Sequence, residues 1–249
     1  MIDERFGNEI KKLTGLIGSP VSHSLSPAIH KEGFRKNAME GYDYVLIDSA
    51  GKDLDWILSH LDERFVGFNV PMPDKQKIME YLDELSEEAA AIGAVNTVKI
   101  LNGKMIGYNT DGKGFLEALQ KSGIEVPEKK VLIFGNGGAA KAVGYELEAA
   151  GAQVEKLHRP EPEELHSKLA ECDIFINASP VGMDGISSPV ESLDHVQNHV
   201  FIADLIYRPE QTKLLEMADR KGMKFMNGSR MLFEQASLSF YIWHGVKFS

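Results

Sequence analysis

Three stretches of this chain carry residues suited to chemistry: Asn69-Val70-Pro71-Met72-Pro73-Asp74-Lys75, Gly107-Tyr108-Asn109-Thr110-Asp111-Gly112, and the glycine-rich turn Gly135-Asn136-Gly137-Gly138-Ala139-Ala140. An ammonium and a carboxylate held together exchange a proton with a substrate hydroxyl, the lysine pKa being set by burial and by its partner. The glycine turn fits GxGxxG/A. It follows the apolar run Lys130-Val131-Leu132-Ile133-Phe134 and precedes a helical pattern over 141–150. That is the context of a dinucleotide site, because glycine lets the backbone come close and the helix start offers unpaired amides to a pyrophosphate. Lys75, Asp111 and this turn together point to proton transfer coupled to hydride transfer. Taken singly, Lys75 reads as a solvated lysine at a helix start and Asp111 as a helix cap.

The strand after the turn ends at Leu157-His158-Arg159, about where an NAD enzyme places a carboxylate for the ribose hydroxyls. An arginine there suits a 2′-phosphate, so NADP is the first choice of cofactor and NAD the second. The segment that follows, Pro160-Glu161-Pro162-Glu163-Glu164, brings three carboxylates to the same region, where like charge opposes a phosphate. Cys172 is the only cysteine and has no neighbouring histidine, so it reads as a small buried hydrophobe. The eight histidines show no HExxH or other ligand spacing, and no metal is expected.

These groups need elements to hold them. A strand over 14–18 runs into a serine-rich loop, and Ser26-Pro27 signals a helix start, with Ser26 as the cap. Strands are expected at 42–47 and 65–70, helices at 54–61 and 75–91, and the alternation predicts a mostly parallel sheet. Asn102-Gly103 between 94–101 and 104–108 is a strong hairpin signal. A helix from about Gly112 to Lys121 leads to Pro127, near which the pattern starts afresh and a domain boundary is expected. Strand-like runs at 130–134, 153–157, 173–177, 201–205 and 224–226 then form a wound nucleotide-binding half. In the last segment, 229–244, helical spacing puts Gln235 on one face with Leu232, Ala236 and Ser239.

The length of 249 residues with 43% apolar content allows two compact α/β domains. A net charge of -10 argues against nucleic acid as a partner. The charged start Met1-Ile2-Asp3-Glu4-Arg5 does not resemble a secretion signal, and no apolar run approaches the roughly 20 residues that cross a bilayer, so a cytoplasmic protein without membrane contact is expected. A monomer and a homodimer are both compatible with the sequence.

Seven motifs occur in one order: Ser24-Leu25-Ser26-Pro27; Gly67-Phe68-Asn69-Val70 with Lys75; Gly93-Ala94-Val95-Asn96-Thr97; Asn109-Thr110-Asp111-Gly112; the glycine turn; Asp204-Leu205-Ile206-Tyr207-Arg208-Pro209 with Thr212; and Met231-Leu232 with Gln235-Ala236. Together, from about Gly15 to Gly245, they resemble the shikimate dehydrogenase family. The resemblance implies a substrate-binding α/β domain (1–112, completed by a C-terminal helix, 229–249) and a Rossmann-type NADP-binding domain (113–228) that close over the site. It implies that NADPH reversibly reduces 3-dehydroshikimate to shikimate, a step of aromatic amino acid biosynthesis, with Lys75 and Asp111 as the catalytic pair. Ser24 and Ser26 would bind the substrate carboxylate, and Asn96, Asp111 and Gln235 the ring hydroxyls, with Asn69 and Tyr207 also at the substrate. The turn Gly135, Asn136, Gly137, Gly138, Ala139 and Ala140, with His158, Arg159 and Met231, would hold the cofactor. Two departures stand out: Pro71 replaces a threonine whose hydroxyl would contact substrate, and Glu163 stands where the family has a second arginine. They keep open a paralogue that oxidises quinate or another cyclic polyol with NAD, and a ligand-binding homologue without turnover.

Overall fold

The computed structural model describes residues 11–248, so the charged start 1–5 lies outside the described residues. The chain divides into two compact units, Met1–Thr110 with Ala236–Ser249, and Asp111–Gln235.

In the first unit the elements are β1 (Lys12–Gly18), α1 (Ser26–Lys36), β2 (Tyr42–Asp48), α2 (Leu54–Ser59), β3 (Phe65–Asn69), a 3-10 turn (Lys77–Tyr81), β4 (Glu84–Leu85), α3 (Glu87–Ile92), β5 (Thr97–Leu101) and β6 (Lys104–Tyr108). They build one six-stranded sheet in the order β2-β1-β3-β5-β6-β4. Neighbouring residues of β1 serve opposite faces: Ile17 packs with Phe68, Ile78 and Val98, while Leu16 packs with Phe34, Tyr44, Phe240 and Trp243.

The sheet is mixed, where the alternation suggested mostly parallel strands. β1 pairs in parallel with β2 and β3, but β5 runs antiparallel to both β3 and β6. The Asn102-Gly103 hairpin imposes this. Both of its turn residues take positive φ, 53° and 79°, as a two-residue hairpin with the right-handed strand twist requires.

The continuous helix expected over 75–91 is also corrected. Leu82 to Ser86 leaves helical geometry because β6 offers it an edge: Asp83 and Ser86 donate their N–H groups to Met105 O and Gly107 O at 2.9 and 2.8 Å. Pairing overrides the helix propensity of this segment. The helix restarts at α3, where the Ser86 side chain accepts from Ala89 N at 3.1 Å as an N-cap.

The second unit holds α4 (Asp111–Lys121), β7 (Lys130–Phe134), α5 (Gly138–Ala149), β8 (Gln153–Leu157), α6 (Pro162–Glu171), β9 (Ile174–Asn177), β10 (Phe201–Asp204), α7 (Lys213–Arg220), β11 (Phe225–Met226) and α8 (Gly228–His244), whose last residues belong to the first unit. Its five-stranded sheet is parallel throughout, in the order β11-β10-β9-β7-β8. Fully buried strands such as Ile174–Asn177 fit a sheet covered on both faces. The boundary precedes α4, not Pro127, because Phe115, Ala118 and Leu119 of α4 are buried in one core with Ile133, Val143, Leu147 and Ile176. A bare glycine edge permits this packing, since a Cβ at Gly112 would lie 2.3 Å from Ala142 O of α5.

Candidate active site

In the first unit, the expected substrate residues converge on a buried hydrogen-bonded network. Asn69 ends β3 and is 7% exposed. Its Oδ1 accepts from the Tyr44 hydroxyl at 2.8 Å, and its Nδ2 lies 3.1 Å from Asn96 O, 3.1 Å from Thr97 Oγ1 and 3.2 Å from Ser239 Oγ. Asn96 is still more buried, at 3%. Its Nδ2 donates to Thr110 Oγ1 at 2.9 Å, while its Oδ1 accepts from Thr110 N and Thr97 Oγ1, each at 2.9 Å. These amides fix one another, so the loop before β5 and the loop after β6 have one arrangement.

Lys75 is tied into the same frame through its backbone, because Val95 N donates to Lys75 O at 2.8 Å. Its side chain is half-buried. Ser24 and Ser26 flank the start of α1, with Ser26 buried and Ser24 half-buried. Ser26 is not the cap: the N-cap position is Leu25, and Ser24 Oγ accepts from Ser26 N at 3.2 Å. Pro27 occupies the first turn, where its missing N–H costs nothing. The Ser26 hydroxyl thus remains outside the helix cap, hydrogen-bonded with buried Tyr44, whose phenol is raised above its ordinary range mainly by burial.

In the second unit, Asp111 opens α4 and is 4% exposed. A carboxylate in a first helical turn is favoured by the helix dipole. Gln235 is buried on α8, and its Nε2 donates to Leu232 O at 2.8 Å. A Cβ at Gly114 would stand 2.6 Å from Gln235 N, so α4 and α8 meet backbone to backbone there. Met231 is buried in the core with Phe115, Ile133 and Met226.

The glycine turn joins β7 to α5. Gly135 has φ of 137°, and a Cβ on it would lie 2.6 Å from Ala178 O, so only glycine fits. Gly137 is the N-cap of α5 and Gly138 its first residue, with Asn136 and Gly137 exposed, Gly138 and Ala139 half-buried and Ala140 in the core. The α5 amides are therefore open to an anion. Gly135 N donates to Leu157 O at 2.9 Å, which sets the turn beside the end of β8, where His158 and Arg159 are exposed. The sheet order reverses between β7 and β9, the place where open parallel sheets take their ligands, at the carboxyl ends of the strands.

A third cluster contains Asp204 and Thr212, which the sequence placed in one motif without giving them a role. Asp204, 1% exposed, accepts from Asn177 Nδ2 at 3.1 Å, Ile206 N at 3.0 Å and Thr212 Oγ1 at 2.8 Å. Burial raises its pKa, and these donors oppose the rise. The Asn177 Oδ1 in turn accepts from Ser179 Oγ at 2.7 Å, so one carboxylate braces the loops after β9 and β10, the second of which carries half-buried Tyr207. A polar residue ending each of two apolar strands was the available signal.

Cys172 is buried and its thiol is pushed up to about 12, mainly by burial, which removes it as a nucleophile. Among the described residues, no group of three or more His, Cys, Asp or Glu side chains could hold a metal ion, and no helix is long and apolar enough to cross a membrane.

A wound parallel sheet with a glycine turn, carried on one chain with a second α/β unit lined by buried amides and hydroxyls, defines a dinucleotide-dependent α/β protein of two units. Residues 16–98 match the model of the shikimate dehydrogenase substrate binding domain. The chain is 41% identical over 261 aligned positions to the shikimate dehydrogenase (NADP(+)) of Methanococcus maripaludis, covering 95% of this chain and 92% of that one. Its structure superposes with a TM-score of 0.87 and 34% identity on shikimate 5-dehydrogenase from Thermus thermophilus in complex with NADP(H) and shikimate, covering 96% and 95% of the two chains. A TM-score of 0.86 with 31% identity relates it to the Listeria monocytogenes shikimate 5-dehydrogenase in complex with shikimate and NAD, over 100% and 96%. The chain belongs to the shikimate dehydrogenase family.

Proposed function

We propose that this protein is an NADP-dependent oxidoreductase that interconverts shikimate and 3-dehydroshikimate. The observation that carries the reading is the frame around Lys75: the Val95 N–H holds its backbone one residue from Asn96, whose amide is locked to Thr97 and Thr110. A lysine so fixed suits one proton at one place. Family membership supplies the reaction, and the relatives named for NADP supply the cofactor.

In this reading, Lys75 carries the proton of the substrate hydroxyl that is oxidised or formed. Asp111 fixes a substrate hydroxyl. Ser24 and Ser26 receive the carboxylate at the start of α1 through their hydroxyls. Asn96 and Gln235 orient ring hydroxyls, Tyr207 approaches the reacting face, and Asn69 acts chiefly by holding Asn96 and Thr97 in register. The glycine turn takes the pyrophosphate, with Arg159 and His158 toward the adenosine ribose. When bound, the nucleotide supplies or accepts the hydride.

Steady-state assay of the purified protein with shikimate and with quinate tests this. Turnover of shikimate with higher kcat/KM than quinate is expected. A quinate preference would replace the substrate assignment, and binding of shikimate with no nucleotide reduction at any pH would make the protein a sensor.

A further inference from the structure

We infer that Glu161, Glu163 and Glu164 act as specificity-determining residues that counteract Arg159 at the adenosine ribose, so that this protein accepts NAD nearly as well as NADP. The inference rests on the dinucleotide-dependent reading above. The Gly135 to Leu157 hydrogen bond fixes where the ribose must lie: a nucleotide whose pyrophosphate sits on the α5 amides carries its ribose toward the end of β8. Arg159 follows there with φ of 51°, an uncommon conformation for a residue with a side chain. Its guanidinium is the arginine available to a 2′-phosphate at this strand end.

The three carboxylates start two residues later. Glu161 is the N-cap of α6 but makes no side-chain cap hydrogen bond, and Glu163 and Glu164 lie in the first turn. All three are exposed. Had they capped the helix or paired with Arg159, their charge would be committed elsewhere. Among the described residues neither Glu161 nor Glu163 has an ion-pair partner, and Glu164 has only a through-space interaction with Lys168. The neighbouring lysines are occupied, Lys156 with Glu148 at 3.6 Å and Lys168 with Glu155 at 2.9 Å.

Chain length alone holds the Glu163 backbone within about 14 Å of that of Arg159. A 2′-phosphate carrying nearly two negative charges therefore meets one cation beside two carboxylates without an ion-pair partner and a third that Lys168 and the start of α6 offset in part. A ribose hydroxyl meets no such penalty, and a carboxylate can accept its proton, as NAD sites commonly arrange.

Calorimetric Kd values for NADP+ and NAD+, measured on the full chain without substrate, test the inference. The wild type should favour NADP+ by no more than about tenfold, and Glu161→Gln/Glu163→Gln/Glu164→Gln should raise that preference about tenfold further, the gain shrinking as salt rises. Arg159→Ala should move the ratio the other way. A wild-type preference for NADP+ above about a hundredfold, a triple variant with an unchanged ratio, or failure to bind either nucleotide would overturn it. Initial rates with shikimate separate the two readings. The expected Kd ratio without shikimate-dependent reduction would sink the proposed function and leave this inference standing, whereas brisk turnover with NADP alone would do the reverse.

Discussion

Pro71 packs its ring against the end of a neighbouring strand. A Cβ at Gly18 would lie 2.3 Å from the Pro71 ring, so the ring covers the end of β1 directly. It offers no hydroxyl where the family resemblance leads one to expect a threonine. Pro71→Thr should lower the KM for shikimate by up to about fivefold, the worth of one neutral hydrogen bond. An unchanged KM in steady-state kinetics would show that position 71 does not face substrate. At this scale the sequence was legible at the glycine turn, which joins β7 to α5 as its pattern predicts. It was not legible for Tyr44, Thr97, Thr110 and Ser239 as partners, because a hydroxyl on a strand or helix looks the same whether it faces water or a buried amide. Ser26 misled for a related reason. A Ser-Pro pair signals a helix start, but the serine two residues earlier supplies the hydrogen bond.

Elements are held by close approaches and by a few deliberate polar contacts. Gly67 of β3 faces Trp243, and a Cβ there would lie 2.2 Å from Nε1 and 2.4 Å from Val98 O, while that Nε1 donates to Val98 O at 2.9 Å. Gly67→Ala should destabilise the protein by about 1–3 kcal/mol through overpacking, read as a lower denaturation midpoint. In the second unit, Lys221 donates its Nζ to Leu193 O at 2.6 Å, Asp194 O at 3.0 Å and Val196 O, acting as an internal cation for the loop before β10. Lys221→Met should cost about 1–3 kcal/mol, since it removes three hydrogen bonds from a charged donor to the loop, and faster amide exchange across 193–200 should accompany the loss. Wild-type exchange in that variant would remove the loop from lysine's control. Strand and helix periods exposed most elements, and the hairpin was marked by its own turn residues. The segment 75–91 was misread because its residues favour a helix in isolation, whereas the unpaired edge of β6 decides their conformation. No local pattern reports an edge supplied twenty residues downstream.

For the whole molecule, acid stability depends on two imidazoles folded into the aromatic core. His30 is fully buried and stacks on Tyr44 at 4.2 Å, with neither ring nitrogen hydrogen-bonded. Burial, with a smaller contribution from His244, lowers its pKa from 6.5 to about 3. His244 falls to about 4, through burial first and then Lys12 and Lys99. The unfolded chain therefore binds protons that the folded chain refuses, so stability is full above about pH 6.5 and declines as pH falls toward 3. At about pH 5 His30 alone should cost roughly 2 kcal/mol, and His30→Phe should flatten that limb of the stability curve. An identical acid dependence in the variant would place the acid sensitivity elsewhere. The two-unit plan was readable from the restart of the strand pattern. That restart alone put the boundary near Pro127, because α4 resembles the end of the first half in sequence while its apolar face belongs to the second core, whereas the family resemblance put it after residue 112, beside the division at Thr110.

The proposed reaction requires a proton carrier at Lys75, and Lys75→Ala tests that directly. Followed by NADPH formation from shikimate and NADP, the wild type should turn over readily, and the variant should lose about a thousandfold or more in kcat with a much smaller change in KM. A variant within a fewfold of wild-type kcat, or a wild type that forms no NADPH, would contradict it.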